Sequence, residues 1–476
     1  MEEYRNTPKR PVNPRRRKRS KLKIFTEAYL PVIIAALILV LIIVFIVSAI
    51  KPNHNKKDPT EPTTVTDPTT QTNPQAQLEE EARNLISNAA VLAADYDYQG
   101  ALDILKSFSS DPNKFPALKD KILEYETALQ NMVAWDDPSK VVNLSFQLLM
   151  ADPARSLKDP NYAYSFNRNF ITTEEFSKIL QQLYENGYIL VSMDDIFTAE
   201  TKEDGSVVYK AKTLYLPSDK TPLMLTQTNV NYNYYLIDSD DDKLPDAGGS
   251  GFASKLLWDG TNFTCEMVDA SGNTVRGNYD MVPILEAFIA KNPDFSYRGA
   301  KATLALTGYN GLLGYRTHMT AASIFGEDAY RQAVQDVTAL VKALRDNGYT
   351  IACYTYENVA YGQIGLYEIQ TDLTGWKTEV VPILGDVDIL VYAQNSDIST
   401  EEFYSGDKFN TLQNAGFRYY LGLCTNGNSW ATVTDSYVRQ GRILVTGSNL
   451  QHHADWFIDL FDPATVLDPS RGNIPK

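Results

Sequence analysis

From Val141 onward, short apolar runs alternate with stretches of helical period, and this alternation restricts the fold more than any other feature of the chain. Val141–Leu149 reads as a strand, Thr173–Asn186 as a helix capped by Thr172 or Thr173, and Tyr188–Val191 as the next strand. Leu223–Thr226 is a further apolar run. Helices are expected over Asp280–Ala290, Ala329–Asp346, Trp376–Leu384 and Phe403–Ala415. Strands are expected over Ala302–Leu306, Tyr349–Ala352, Asp388–Tyr392 and Phe417–Leu421. Strands separated by helix-length segments pair in parallel, because the helix carries the chain back to the starting edge of the sheet. The expectation is therefore an α/β domain over residues 141–476, a barrel-like array of parallel strands with helices outside. Phe252–Arg276, with its turn at Asp269–Asn273, reads as an inserted β-hairpin.

The first third of the chain has a different character. Residues 1–27 are crowded with Arg and Lys, including the run Arg15–Arg19. Ala28–Ile50 carries no charge and is dominated by Ile, Leu, Val and Ala. Roughly 23 residues at about 1.5 Å each reach about 34 Å, enough to cross a bilayer core of about 30 Å. A signal peptide core is shorter, so the reading is an uncleaved single-pass transmembrane helix. The preceding basic block places the N-terminus in the cytoplasm and the C-terminal bulk outside the cell. Residues 51–77, rich in Pro and Thr, read as an extended linker. Residues 78–135 read as a small helical spacer module, with Leu85, Ala89 and Leu92 at helical spacing and Asp95–Tyr98 as a break. Tyr98–Leu105 resembles half of a tetratricopeptide repeat without a second full copy.

The chain carries a formal net charge of −15. Its basic N-terminus holds positive charge, so the remainder is more acidic still, which argues against nucleic acid as a partner. Cys265, Cys353 and Cys424 are the three cysteines. That count permits at most one internal disulfide and no zinc-finger spacing.

Particular segments carry a family resemblance. Phe170–Phe176 followed by Leu183–Tyr188, then Ser192–Ile196, Phe295–Lys301, Gly308–Thr317, Trp376–Val380 and Tyr437–Arg442 occur in order. Together they resemble the polysaccharide deacetylase (NodB-homology) family over about residues 141–475. That resemblance implies a distorted (β/α) barrel and a divalent metal, zinc or another, held by one Asp of a T-F-D-D motif and two His of an H-x-x-x-H motif. In such a site the metal polarises the acetamide carbonyl and activates water, while a second Asp serves as base. Aligned on the family, Thr226–Asn229 stands at the first motif, with Thr228 at the base position and Asn229 at the ligand position. Cys353–Asn358 stands at the second, with Tyr354 and Asn358 where both His belong, and Gln147 aligns with an upstream His. Thr has no useful basicity near neutral pH, and an Asn amide is a weak neutral ligand. The resemblance thus implies a fold without its cofactor, so no metal is expected.

Other residues offer chemistry of a different kind. Cys353, Tyr354 and Glu357 share a short segment that a rebuilt site would use, and Cys353 as nucleophile lacks a His partner. His452–His453 has the wrong spacing for a ligand pair. The Asp238–Asp242 run lacks the Gly and closing Glu of a calcium loop. Tyr232, Tyr234, Tyr235, Tyr354 and Tyr356 cluster in sequence around the two emptied motifs and suit stacking on sugars. Tyr232, Tyr356, Glu357 and Arg316 are the substrate-binding candidates. The expected function is a membrane-anchored, extracytoplasmic, deacetylase-like protein of the cell envelope that binds or scaffolds wall glycan without metal-dependent deacetylation. Two alternatives stand beside it: an N-deacetylase or hydrolase of peptidoglycan or wall polysaccharide with a rebuilt site, and a protein-interaction platform using residues 78–135.

Overall fold

The computed structural model describes residues 74–238 and 249–475. The basic block, the apolar stretch, most of the linker and residues 239–248 of the Asp-rich segment lie outside the described residues. Among the described residues no helix is long and apolar enough to cross a membrane.

Seven strands close a parallel barrel in which neighbours in sequence are neighbours in space. They are labelled in chain order: β1 Val142–Phe146, β2 Thr221–Thr228, β3 Thr303–Leu306, β4 Thr350–Cys353, β5 Ile389–Val391, β6 Tyr419–Leu423 and β7 Val438–Leu444. The ring closes where Ile443 and Leu444 of β7 pair with Leu144 and Ser145 of β1. Tyr188–Leu190 also pairs in parallel with β2, but only with Thr221–Leu223; the rest of that edge pairs with β3 through Thr226–Thr228. The expected Tyr188–Val191 strand is therefore a side strand that leaves the ring at seven.

Register fixes which side chains face inward, because alternate residues point to opposite faces. Outward residues such as Leu144, Leu225, Leu304, Ile351, Leu390 and Ile443 join the core beneath the helices. Inward residues Met224, Ala305, Ala352, Ile389, Val391, Leu421 and Val438 form a second cluster inside the barrel. The inward set also holds Asn143, Ser145, Thr226, Thr228, Gln440 and Arg442, all buried.

The helices match their expected positions with shifted ends. Thr173–Glu185 is capped by Thr172, whose hydroxyl accepts from the Glu175 amide while the Glu175 carboxylate accepts from the Thr172 amide. Glu327–Asp346 and Met281–Lys291 follow. Phe403–Ala415 was expected to be helical throughout, but the helix is Asp407–Asn414. Its start is set by Gly406, which has a φ of 86° that no helical residue adopts. Trp376–Leu384 contains a five-residue π segment, Trp376–Val380, before a last turn at Val381–Leu384. The inserted hairpin is three-stranded: Lys255–Trp258, Phe263–Val268 and Thr274–Gly277.

The N-terminal module comprises helices Pro74–Ala94, Tyr98–Lys106 and Pro116–Gln130, so helix begins inside the expected linker. The module is joined to the barrel domain by packing. The Tyr96 ring stacks on Tyr297 at 6.2 Å and its hydroxyl donates to the Asp294 carbonyl at 2.9 Å. Met132–Trp135 pairs antiparallel with Leu214–Pro217.

Gly348 turns the chain from Glu327–Asp346 into β4 at a φ of 89°, and a Cβ there would lie 1.9 Å from the Gly299 carbonyl oxygen. Gly348→Ala would combine left-handed strain with a backbone clash. It is expected to lower stability by roughly 2 kcal/mol or more, read as a lowered urea midpoint at unchanged slope.

Candidate functional site

The C-terminal ends of parallel barrel strands are where such folds assemble chemistry. Here β2 ends at Thr228 and β4 at Cys353, so the two motif positions open from the same end of one barrel. Strained backbone gathers there: Asn229, Tyr232, Thr355, Asn358, Gln394 and Asn395 all have positive φ between 49° and 61°. Non-glycine residues adopt that region at a cost, and clusters of them mark sites where the surroundings over-determine the chain.

Thr228, Asn229 and Tyr354 each have a side-chain hydrogen bond to a neighbouring segment, whereas Asn358 is held only through its backbone carbonyl and its Oδ1 is buried with no partner among the described residues. Thr228 donates its hydroxyl to the Phe146 carbonyl at 3.1 Å. Asn229 accepts the Asn233 amide on Oδ1 at 3.0 Å. The Tyr354 hydroxyl accepts the Gln394 backbone amide at 3.2 Å, and the Asn358 carbonyl accepts the Gln394 side chain at 2.7 Å. Gln147 meets the site only through its backbone carbonyl, which accepts from Gln227 at 3.3 Å. These groups are all neutral and so do not fit a divalent cation, which needs anionic or imidazole donors to offset its dehydration. Among the described residues no group of three or more His, Cys, Asp and Glu side chains gathers as a metal site.

Deeper in the same interior, Thr226 donates to Asn143 Oδ1 at 2.8 Å and Asn143 donates to Gln440 Oε1 at 3.3 Å. Beside this chain lies Arg442, fully buried, donating Nη1 to the Ser145 hydroxyl at 2.8 Å. No described carboxylate pairs with it. Burial depresses its guanidinium, opposed by Tyr354 and Cys424. Burial raises the Tyr354 hydroxyl, and the Arg442 charge opposes that rise.

The substrate-binding candidates are placed differently from expectation. Tyr232 is fully buried on the outer side of the barrel, with its hydroxyl donating to Asp280 at 2.8 Å. It presents no face to a sugar. The Tyr356 ring lies within the core against Gly308 and Gly375, close enough that a Cβ on either would meet it. Arg316 stacks on Tyr234 at 4.1 Å and donates to the Asn310 and Tyr232 carbonyls, so it braces the loop after β2. Glu357 is exposed, and its amide is held by Asp372 at 2.8 Å. Two exposed aromatics of the loop region, Tyr235 and Tyr162, meet edge to face at 5.8 Å. Burial of the hydroxyl end, with Tyr309, Tyr162 and Tyr354 nearby, raises the Tyr235 hydroxyl.

The remaining reactive residues are structural. All three cysteines are free and buried, so the single permitted disulfide is absent, and burial raises the Cys353 thiol well above its ordinary value. His452 contacts the Ile474 carbonyl at 2.7 Å, and His453 stacks on Trp456 at 4.2 Å.

Three residues that sequence reasoning left without a role shape this region. Asp280 accepts from the Leu149 amide, Gln227 and Tyr232, at 3.0, 2.7 and 2.8 Å. Asp372 accepts from the Tyr356 and Glu357 amides and from the Tyr361 hydroxyl, holding the loop after β4. Arg442 fell within a matched segment, yet only its inward register reveals its setting. No local signal marks any of the three, because each has partners remote in sequence.

No family model matches the chain, and no curated protein matches it. Among solved structures, Streptococcus pyogenes deacetylase PplD in complex with acetate is similar over 66% of this chain and 96% of that one. The likeness is distant, at 12% identity and a TM-score of 0.31.

Proposed function

We propose that residues 141–476 form a deacetylase-like barrel that binds or scaffolds cell-envelope glycan and performs no metal-dependent deacetylation. In this reading the Ala28–Ile50 stretch anchors the chain in the cell membrane with the barrel outside. The observation that supports the loss of metal chemistry is the neutrality of the side chains at the ends of β2 and β4, beside a buried guanidinium. A dication placed among them would find no anionic ligand and would be repelled by Arg442. Tyr235 and Tyr162 support glycan contact, because exposed rings can stack on sugar faces.

The test uses the full chain in mild detergent. Zinc and cobalt titrations by calorimetry are expected to give only the heat of dilution, and N-acetylated oligosaccharides are expected to release no acetate. Wall glycan should be retained in a sedimentation assay and lost on Tyr235→Ala. Metal-stimulated acetate release would replace this reading with a rebuilt-site hydrolase, and glycan sedimentation unchanged in Tyr235→Ala would remove the proposed stacking surface.

A further inference from the structure

Arg442 is the one arginine among the described residues that is fully buried with two of its nitrogens lacking an acceptor. Its side chain points into the barrel, in register with Leu423 of β6. Nη1 is used by Ser145. Nε and Nη2 are buried and meet no hydrogen-bond acceptor among the described residues. These two nitrogens form one edge of the guanidinium plane, whose N–H bonds run parallel. That edge matches the two oxygens of a carboxylate in a bidentate pair.

Buried polar groups in folded proteins are nearly always satisfied, and a buried charge without a partner is rarer still. Two other buried arginine side chains, those of Arg439 and Arg471, each have a carboxylate partner, although Arg439 Nε is also buried without an acceptor among the described residues. Arg439 pairs with Asp397 at 3.1 Å and lies over the Tyr404 ring at 3.9 Å. Arg471 pairs with Glu175. Arg442 departs from this pattern at the strand ends where barrel folds bind ligands, with Ser145 fixing the far side of the guanidinium and so orienting the open edge. The Tyr354 hydroxyl lies within reach of the same charge.

We propose that the Nε–Nη2 edge of Arg442 is a carboxylate-binding site inside the barrel, with Ser145 as its positioning residue. The ligand is a small free carboxylate or the carboxylate of an acidic sugar, and the site selects a planar bidentate anion over a spherical one. This goes beyond the glycan reading and does not need it: neutral glycan could fail to bind while carboxylate binds, and the reverse. Because Arg442 is fully enclosed, association requires the mouth to open, so binding is slow relative to ordinary surface encounter.

The experiment titrates the full chain with sodium formate and sodium glucuronate by calorimetry and by thermal midpoint, with sodium chloride at matched ionic strength as the comparison. Saturable formate binding and a rising midpoint that chloride does not reproduce are expected. Arg442→Lys keeps the charge but removes the fork, and should weaken formate binding at least tenfold. Ser145→Ala leaves the fork but not its orientation, and should weaken it several-fold. Glucuronate binding at least as tightly as formate assigns the site to an acidic sugar; formate alone assigns it to a small free carboxylate. The proposal is overturned if chloride matches formate in the wild-type chain, if nothing saturates, or if a folded Arg442→Lys binds formate unchanged. Should Arg442→Lys fail to fold, the wild-type contrast of formate with chloride decides the matter.

Discussion

Arg471→Ala is expected to lower the free energy of unfolding by about 3–5 kcal/mol, the range for removing one partner of a buried ion pair. The Arg471 and Glu175 side chains are 1% and 0% exposed. Arg471 donates Nη2 to Glu175 Oε2 at 2.6 Å and to the Phe170 carbonyl at 2.7 Å, and Nη1 to the Asn167 carbonyl at 2.8 Å. Glu175 also accepts the Asp468 amide at 2.9 Å and closes the capping box with Thr172. One pair therefore fixes the C-terminal segment to the start of the Thr173–Glu185 helix. Truncating Arg471 leaves a carboxylate in the core with too few donors. Equilibrium urea unfolding of wild type, Arg471→Ala and the double variant Glu175→Met/Arg471→Met separates the causes. The double variant should be less destabilised than Arg471→Ala, since it buries no unpaired charge; a loss under about 1 kcal/mol for Arg471→Ala would contradict the argument.

The second large effect is a pH dependence centred on Asp280. Burial raises its carboxyl from 3.8 to about 6, against the lowering effect of hydrogen bonds from Tyr232, the Met281 and Leu149 amides and Gln227. A folded-state value above the unfolded one means the folded protein holds the proton more tightly. The associated stability is fully present below pH 4 and is lost as pH rises through about 6, a change of roughly 3 kcal/mol. Asp280→Asn cannot titrate. The stability of wild type relative to this variant should therefore grow as pH falls from 6.5 to 4. His318 works in the opposite direction. Burial, with Arg316 adding repulsion, lowers it from 6.5 to about 4, so its contribution is present above pH 6.5 and is lost as pH falls through 4. Wild type should lose stability relative to His318→Gln over the same window. Urea midpoints at half-unit pH steps would show the two difference curves with opposite slopes, and a flat Asp280→Asn difference curve would rule out the buried-carboxyl account.

Strand and helix positions were legible because they are written in neighbouring residues. The capping of Thr173–Glu185 illustrates this: a Thr three residues before a Glu satisfies two helix-end amides whatever the chain does elsewhere. The same locality explains the misses. The helix expected from Phe403 starts at Asp407 because a left-handed glycine precedes it. β7, Val438–Leu444, was matched as a segment but not assigned as a strand, although it closes the ring. Its inward Gln440 and Arg442 interrupt the apolar run by which buried parallel strands are recognised.

The candidate site was half legible. Thr228, Asn229, Tyr354 and Asn358 could be placed at or just beyond strand ends from sequence because strand ends follow from strand positions. Which tyrosines face a ligand could not. Tyr232 and Tyr235 sit three residues apart in one loop, yet one donates to a buried carboxylate and the other is 37% exposed. A single turn of irregular backbone, with Tyr232 at a φ of 49°, sends them in different directions.

What the sequence determined by itself was the order of strands and helices, since each depends on residue types within a few positions of one another. Tertiary structure alone decided the seven-stranded closure, the burial of Tyr232 and Tyr356, and the isolation of Arg442. The reason is physical. Burial and hydrogen-bond satisfaction depend on what the closed ring brings together, and Ser145 meets Arg442 across 297 residues of chain.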